Sequence, residues 1–318
     1  MTSAKRVLVV GEINVDLLLQ GHQAFPTPGR EVLADDFTMA LGSASAICAM
    51  GLARLGTPVR FAGVVGADVW GEYCLGVMRA AGIDLAPVRV DPAIKTGVTV
   101  SITSPSDRAL VTYPGSTAAL SSSDIDDRVF DGIDHLHVSS YFLQSRLRAG
   151  CRDLFRRAGR RGLTRSLDPG FDPHETWGPE LAETLREVDV FLPNEVELAG
   201  ITGLSDPERA LGALENGRTL TVAKLGARGA MTRHLGETIA QSALEVTPID
   251  TTGAGDSFNA GFLHAWLGGR PLDQALALGA ACGALSTLGL GGTGAQPTLE
   301  QAEAFLRSRS AAGGGSYR

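Results

Sequence analysis

Short apolar runs rich in β-branched residues recur along the chain, and most of them end at a glycine or a polar residue. The first run, residues 6–10, ends at Gly11 and is typical of a buried parallel strand. From about residue 123 such runs alternate with longer segments that have apolar residues at helical spacing. This pattern predicts strands at 135–139, 164–168, 190–192 and 219–224 and helices at 125–130, 147–161 and 181–188. Repeated βα units predict a mainly parallel sheet with helices on both faces, with functional residues at the carboxyl ends of its strands.

A different pattern occupies the first third of the chain. Polar and apolar residues alternate through residues 12–16, which predicts a strand with Asn14 and Asp16 on one face. Such a pair could hydrogen-bond the vicinal hydroxyls of a sugar, although a solvated strand face is the commoner reason for the pattern. Further strands are predicted at 31–39, 94–102 and 109–114, the last two joined as a hairpin by a turn at 104–107.

One stretch, residues 250–262 (DTTGAGDSFNAGF), combines a glycine turn, a carboxylate and a predicted helix start. The Gly253–Gly255 turn has almost no side chains, so its backbone N–H groups can approach an anion closely. The helix predicted from Ser257 adds unpaired N–H donors and the positive end of its dipole, which favour phosphate. Asp256 lies beside this site, where a carboxylate is unfavourable unless it accepts a proton, as from a hydroxyl that attacks phosphorus. An ordinary helix N-cap is the alternative for a short glycine pattern.

Composition narrows the class of protein. The 318 residues, 44% of them hydrophobic, suffice for one large α/β domain or two ordinary ones. The net charge of −7 comes from acidic and basic residues mixed along the chain, so no basic stripe indicates nucleic acid or an anionic membrane. Four separated cysteines predict reduced, mostly buried thiols, and the first apolar run is too short for a signal sequence, which predicts a cytoplasmic protein. The glycine-rich residues 311–318 predict a flexible tail.

The 250–262 stretch resembles, almost residue for residue, the C-terminal signature D-T-x-G-A-G-D-x-F-x-A-G of the ribokinase-like (PfkB) carbohydrate kinase family. The resemblance implies a three-layer α/β sandwich in one domain over 1–310, with a mainly parallel central sheet, helices on both faces and a small β-sheet lid. The lid strands would lie near 12–20, 31–38, 94–103 and 108–114. It also implies an ATP-dependent phosphotransferase with Asp256 as the catalytic base. The anion hole of that enzyme would be the backbone of Gly253, Ala254 and Gly255.

The N-terminal half carries a weaker form of the same resemblance. Family members open with G-x-x-x-x-D, whose aspartate contacts substrate, and this implies sugar binding by Asp16 with its neighbour Asn14. Residues 41–71 resemble G-G-x-x-x-N…A-R-L-G…G-x-V-G-x-D-x-x-G, with serine and isoleucine in place of the second glycine and the asparagine. These two changes leave the identity of the acceptor open. The corresponding acceptor contacts would be Gly42, Ser43 and Ile47, with Thr96 at the edge of the lid.

Four further motifs imply substrate, metal and nucleotide contacts. Asp168 ends a predicted strand where kinases of keto-sugar acids often carry D-x-N-x-R, and the arginine is absent here. N-x-x-E is matched by Asn194 and Glu197, which would hold Mg²⁺ largely through water, although an acidic first helical turn also suits the helix dipole. Nucleotide contacts are implied for Lys224, Gly226 and Gly229 of K-x-G-x-x-G and for Thr252. K⁺ in many members binds beside the residues that match Asp250 and Thr252.

His135 and His137, two residues apart on a predicted strand, could share a metal ion on one face. A strand that passes into a polar loop is the commoner reason for such spacing.

Together the motifs predict an ATP- and Mg²⁺-dependent kinase of a small sugar or sugar derivative, which contacts neither nucleic acid nor membrane. The resemblance makes K⁺ activation and a homodimer formed through the lid further expectations. Three alternatives stay open: a nucleoside or keto-sugar-acid kinase on the same fold, a ligand-binding homologue that has lost turnover, and a dehydrogenase. The last is disfavoured because no GxGxxG follows the first strand.

Overall fold

The structure is a computed structural model that describes residues 4–21, 26–103 and 108–313. Its strands are β1 (Val7–Val10), β2 (Asn14–Gln20), β3 (Asp36–Gly42), β4 (Val59–Ala62), β5 (Val64–Gly66), β6 (Arg89–Asp91), β7 (Gly97–Thr103), β8 (Arg108–Tyr113), β9 (His135–Val138), β10 (Thr164–Leu167), β11 (Val190–Phe191), β12 (Leu220–Lys224), β13 (Ala230–His234) and β14 (Glu237–Gln241). Its helices are α1 (Ala44–Arg54), α2 (Val69–Ala80), α3 (Ser145–Arg160), α4 (Glu180–Leu185), α5 (Glu195–Thr202), α6 (Pro207–Ala213), α7 (Ala254–Leu267), α8 (Leu272–Ser286), α9 (Gly291–Gly294) and α10 (Leu299–Gly313).

The larger sheet has the strand order β14-β13-β12-β11-β10-β9-β1-β4. Neighbouring strands from β12 to β4 run parallel, and β13 and β14 add an antiparallel edge. Successive side chains of β1 point to opposite faces, so Val7 and Val9 join the core under α1, α7 and α8, whereas Leu8 and Val10 join the core under α3. The predicted α/β sandwich with helices on both faces is confirmed.

A second sheet, with the order β3-β2-β7-β8, forms the lid. Residue Asp16 of β2 lies opposite Ala40 of β3 and Thr99 of β7, so three strands meet at the face that carries the predicted acceptor contacts. The strand predicted at 31–38 is placed too early, because β3 covers Asp36–Gly42. Leu33, inside the predicted range, is 78% exposed, whereas β3 is anchored by its buried end at residues 40–42. The predicted turn at 104–107 lies outside the described residues.

Three local predictions need correction. The segment predicted as a helix at 125–130 forms a short 3-10 turn, Asp127–Phe130, because Asp126 caps its first N–H group and Phe130 is already buried at its end. The loop predicted at 289–295 contains the short helix α9. The tail predicted from residue 311 begins inside α10, which continues to Gly313, and residues 314–318 lie outside the described residues. All four cysteines are free and buried, as predicted.

Among the helices of the described residues, none combines the length and the apolar character that crossing a membrane would need.

Candidate active site

A cleft of about 1310 Å³ runs along the carboxyl ends of the central parallel strands. The residues that follow or end these strands line it in sheet order: Ser140 after β9, Asp168 after β10, Asn194 after β11 and Lys224 at the end of β12. The start of α7 forms the facing wall. The lining residues therefore give the cleft two ends, one beside Ser140 and the start of α1 and one beside β12 and the 243–248 segment.

The glycine turn at 253–255 leads directly into α7, and together they form the facing wall of the cleft. Gly253 has φ +71° and is the N-cap residue of α7, and none of the described side chains caps this helix. A Cβ at Gly253 would lie 2.7 Å from Cα of Gly292, so glycine is required both for the conformation and for the close approach. An uncapped helix N-terminus that faces a cleft is a favourable place for phosphate.

Asp256 lies in the first turn of α7 and faces the cleft. Burial raises its pKa, and the negative charge of Asp168 adds to the effect; Lys224 opposes it, while Glu12 and Glu197 raise it further. The result is a pKa of about 8. A carboxyl group with such a pKa is suited to accept a proton near neutral pH.

Lys224, Asp168 and Asn259 form a buried hydrogen-bonded group across the cleft floor. Nζ of Lys224 lies 2.6 Å from Oδ2 of Asp168 and 3.2 Å from Oδ1 of Asn259, whose Nδ2 donates to the same Asp168 oxygen at 2.5 Å. Burial opposes ionisation of Asp168, but the charge of Lys224 and its hydrogen bond hold the pKa of that carboxyl below its usual range. A Cβ at Gly255 would lie 3.6 Å from Nζ of Lys224, so the ammonium group also faces the glycine turn.

Asn194 and Glu197 cap α5 reciprocally. Oδ1 of Asn194 accepts the backbone N–H of Glu197 at 2.9 Å, and the Glu197 carboxylate accepts both the backbone N–H and the side-chain amide of Asn194 at 2.7 Å. Burial, and then the charge of Asp168, raises the pKa of Glu197 to about 7. The two residues therefore cap α5, the helical alternative considered from the sequence, and both also line the cleft.

The Asp250–Thr252 turn is tied to the start of α9. Oδ1 of Asp250 accepts the N–H and the hydroxyl of Thr252, at 2.9 and 2.7 Å, and its Oδ2 accepts the N–H of Gly291 at 2.9 Å. The two residues predicted to lie beside K⁺ are thus held against the start of α9.

On the lid sheet, Asn14 and Asp16 form a buried pair that is not among the residues lining the cleft. Nδ2 of Asn14 donates to Oδ1 of Asp16 at 3.2 Å and to Oγ1 of Thr99 at 3.0 Å. A Cβ at Gly42 would overlap the Asp16 carboxylate, so this glycine is what lets β3 pass beside Asp16. Thr96 instead has a local role, because its hydroxyl is 2.7 Å from Asp68 and also accepts the N–H of Gly66.

The two residues that depart from the family pattern face inward. Ser43 has φ +73°; its hydroxyl donates to the carbonyl of Glu12 at 2.5 Å and accepts the N–H of Ala46, which caps α1. Ile47 is 3% exposed and packs on Gly253 and Gly292.

At the opposite end, Gly226 and Gly229 have positive φ and border the cleft together with the extended segment 243–248. A Cβ at Gly229 would overlap the carbonyl oxygen of Gln241, so the close packing of this turn requires glycine. Arg309 of α10 donates to the carbonyl of Glu245 at 2.6 Å and closes this end.

The two histidines belong to a hydrogen-bonded chain inside the sheet. His135 contacts Thr164 and Ser166, and His137 contacts the same Ser166 hydroxyl and Ser139, at distances of 2.6 to 2.8 Å. Burial lowers the pKa of both rings, that of His137 to about 4, so both are neutral at physiological pH. Within the described residues, no group of three or more His, Cys, Asp or Glu side chains is placed to hold a metal ion.

Sequence reasoning missed several residues of this site. Asn259 lies three residues after Asp256, on the same face of α7, and helical spacing could have revealed it. Glu12, which is buried and accepts hydrogen bonds from the N–H and hydroxyl of Ser45, gave no such signal. Nor did Gln296, whose partners Ile47 and Ser257 lie far away in the sequence.

A three-layer α/β fold with a second small sheet, an uncapped helix start suited to phosphate and a carboxylate beside it is the arrangement of a small-molecule kinase. The chain belongs to the pfkB family of carbohydrate kinases, whose family model matches residues 4–299. It is 30% identical to an ATP-dependent ribose-1-phosphate kinase of Halopiger xanaduensis, over 96% of this chain and 99% of that protein.

Solved structures show the same fold. A ribokinase of Thermotoga maritima is 25% identical with a TM-score of 0.81, and the match covers 96% of this chain and 99% of that one. A chain of Escherichia coli assigned as ribokinase II, solved in complex with ATP and Mg²⁺, is 24% identical with a TM-score of 0.85 and the same coverage. The predicted family, the sugar kinase activity and the fold are thus confirmed.

Proposed function

We propose that this chain transfers the γ-phosphoryl group of ATP to a hydroxyl of a small sugar or sugar derivative, with Asp256 as the base. The observation that supports the proposal most is the position of Asp256, which combines a pKa of about 8 with a place in the first turn of an uncapped helix. A group that accepts protons near neutral pH lies where a transferred phosphoryl group would be bound.

In the proposed reaction, the Asp256 carboxylate accepts the proton of the acceptor hydroxyl as the hydroxyl oxygen attacks the γ-phosphorus of ATP. The bond between that phosphorus and the bridging oxygen of ADP breaks, and ADP leaves with the electron pair. Backbone N–H groups of the 253–255 turn stabilise the charge on the equatorial oxygens. Lys224, whose ammonium group faces this turn, adds positive charge and is itself held by Asp168.

Mg²⁺ would be held by Asn194 and Glu197. Their donor set fits, because the capping bonds leave lone pairs on the Glu197 oxygens, and a small hard cation with few protein ligands keeps its waters. When bound, Mg²⁺ would neutralise charge on the β- and γ-phosphates. The Escherichia coli structure with ATP and Mg²⁺ supports both ligands for this fold. The nucleotide itself would extend from Thr252 towards Lys224, Gly226 and Gly229.

The cofactor proposal also includes K⁺. The Asp250–Thr252 turn and the 291–294 segment lie together and contribute carboxylate, hydroxyl and carbonyl oxygens. We expect turnover to increase when Na⁺ is replaced by K⁺, and equal rates in the two salts would remove K⁺ from the proposal.

For the acceptor, the buried Asn14 and Asp16 pair is suited to vicinal hydroxyls, and Gly42 leaves it room. A second candidate acceptor is a nucleoside or similar riboside. Leu143 and Phe171 border the cleft and are 51% and 47% exposed, which offers an apolar surface for a planar base. A keto-sugar acid is less well supported, because Asp172 stands at the place of the arginine clamp and binds the N–H groups of residues 174–177.

A homodimer through the lid and a cytoplasmic location complete the proposal. The edge strand β8 exposes Leu110, Val111 and Tyr113, which a second copy could cover. Sedimentation of wild type and of Val111→Asp would separate a dimer from a monomer. The cytoplasm is the compartment that supplies ATP and keeps the four free thiols reduced.

The direct test measures ADP production by wild type and Asp256→Asn over a panel of sugars, sugar phosphates, sugar acids and nucleosides. We expect at least one acceptor to give turnover that falls about 10³-fold in the variant, the range for loss of a general base. If wild type produces no more ADP than Asp256→Asn with any acceptor, the kinase proposal fails and the alternative of a ligand-binding homologue without turnover is favoured.

A further inference from the structure

Ile47 lies in the first turns of α1, and its side chain packs against two stretches of bare backbone. A Cβ at Gly253 would lie 3.0 Å from Cγ2 of Ile47, and one at Gly292 would lie 2.8 Å from Cγ1. Because neither glycine has a side chain, the isoleucine contacts the main chain of the phosphate-binding turn and of α9 at once. With 3% of its surface exposed, it is enclosed between these segments.

The main chain of Ile47 is linked to the other end of the same turn. Its carbonyl oxygen accepts Nε2 of Gln296 at 2.9 Å, and this amide also lies 3.0 Å from Oγ of Ser257. Ser257 follows Asp256 directly. Gln296 is 1% exposed, so water competes little for these bonds. One residue of α1 therefore contacts Gly253 through its side chain and Ser257 through Gln296.

We propose that Ile47 is a positioning residue of the phosphoryl-transfer turn, which holds residues 253–257 from both ends. The inference rests on the proposed function, because it concerns where the N–H donors and Asp256 stand during transfer. Stabilisation of a transferred phosphoryl group depends on donors that are already in place, and displacements of about 1 Å can reduce the rate about 10²-fold. A close-packed aliphatic side chain resists such displacement because it leaves no void to collapse into.

This role differs in its kinetics from a contact with the acceptor. A residue that only positions the transfer turn affects the transition state, so its loss lowers kcat and leaves the acceptor KM unchanged. A residue that binds the acceptor affects KM instead. Burial of the side chain against Gly253 and Gly292 favours the first role.

The experiment compares Ile47→Ala and Ile47→Val with Leu52→Ala, all on α1. Leu52 is fully buried in the hydrophobic core and serves as the matched control for a cavity in this helix. We expect Ile47→Ala to lower kcat about 10- to 100-fold with both KM values nearly unchanged. Ile47→Val, which keeps the contact with Gly253, should recover most of the rate, and Leu52→Ala should lose a comparable Tm with kcat near wild type.

Binding of ADP with Mg²⁺ and aluminium fluoride, which mimics the transferred phosphoryl group, gives a readout that needs no acceptor. We expect Ile47→Ala and Gln296→Ala each to weaken this complex by about the factor lost in kcat, while the affinity for ADP alone stays the same. The double variant should lose less than the product of the two single effects, because both residues hold the same turn.

A rise in acceptor KM at unchanged kcat in Ile47→Ala would place the residue in the acceptor site and overturn the inference. If Leu52→Ala lowered kcat by the same factor, general destabilisation would explain the effect of Ile47→Ala, and the inference would be overturned. Failure of the proposed function looks different, since wild type would then give no turnover with any acceptor.

Discussion

The proposed phosphoryl-transfer end and the proposed acceptor end of the site are built from different kinds of residue. The phosphoryl-transfer end holds four ionisable groups, Asp168, Glu197, Lys224 and Asp256, whose charges shift one another's pKa values. The acceptor end holds the Asn14 and Asp16 pair, neutral serines and apolar side chains. Phosphoryl transfer makes the same electrostatic demands whatever the acceptor is, whereas an acceptor is recognised by a few hydrogen bonds. This contrast explains why the reaction is easier to predict from this sequence than the substrate is.

The largest effect should be on pH dependence. Because the pKa of Asp256 is raised to about 8, the basic form is lost as the pH falls, and kcat/KM should drop about tenfold per pH unit below that value. The causes of the shift, burial and the charge of Asp168, belong to the transfer end. The midpoint should therefore be the same for two unrelated acceptors, measured from about pH 6 to about pH 9.5. A midpoint that moves with the acceptor would contradict the separation of the two ends.

Lys224→Met should be the most destabilising change at the transfer end. Side chains of Lys224 and Asp168 are 11% and 5% exposed, and removing the lysine leaves a buried carboxylate without its cation, which costs about 3 kcal/mol. Lys5→Met, which breaks an exposed ion pair with Asp134, should cost less than about 1 kcal/mol. Urea unfolding of both variants gives the comparison. Adding Asp168→Asn to Lys224→Met should restore part of the lost free energy of unfolding. Equal losses in Lys224→Met and Lys5→Met would refute the prediction.

Asp16→Asn tests the acceptor end. The carboxylate is the charged member of the Asn14 pair, and loss of one charge-assisted hydrogen bond to a hydroxyl should raise the acceptor KM about tenfold. The KM for ATP should not change, because the proposed nucleotide contacts lie at the other end. Asp36→Asn, an exposed change on the same lid sheet, is the control. If Asp16→Asn alters the KM for ATP as much as that of the acceptor, the two ends are not independent.

The last prediction concerns the stability of Asp256→Asn. A carboxyl group whose folded pKa is about 8, against an unfolded value of about 4, disfavours the fold increasingly as the pH rises between these values. Replacement by Asn removes this penalty, so the Tm of the variant should exceed that of wild type at pH 8 and the difference should vanish near about pH 4. Asp273→Asn, which is exposed on α8, should leave Tm unchanged. A lower Tm for Asp256→Asn at pH 8 would mean that the carboxylate stabilises the fold.

The sequence predicted the βα alternation, the parallel sheet and the glycine turn at the start of α7 because each depends on a local pattern. It misplaced β3, because the apolar residues Val32 and Leu33 precede the strand, whereas the register of β3 is set by its pairing with β2. Glu12 and Gln296 could not be found in this way. Their partners are brought to them by the fold, and Gln296 meets the carbonyl of Ile47 across 249 positions of the chain.

The place of β1 in the strand order has a consequence for synthesis of the chain. Val7–Val10 pairs with β4 on one side and with β9 on the other, so its second partner, His135–Val138, is made more than a hundred residues later. Until then one edge of an entirely apolar strand has no partner from the central sheet. Contacts between distant segments form slowly because a long loop must close first. A nascent chain that stalls before residue 135 would thus expose an open, aggregation-prone strand edge, which makes this early segment a natural target for holding chaperones.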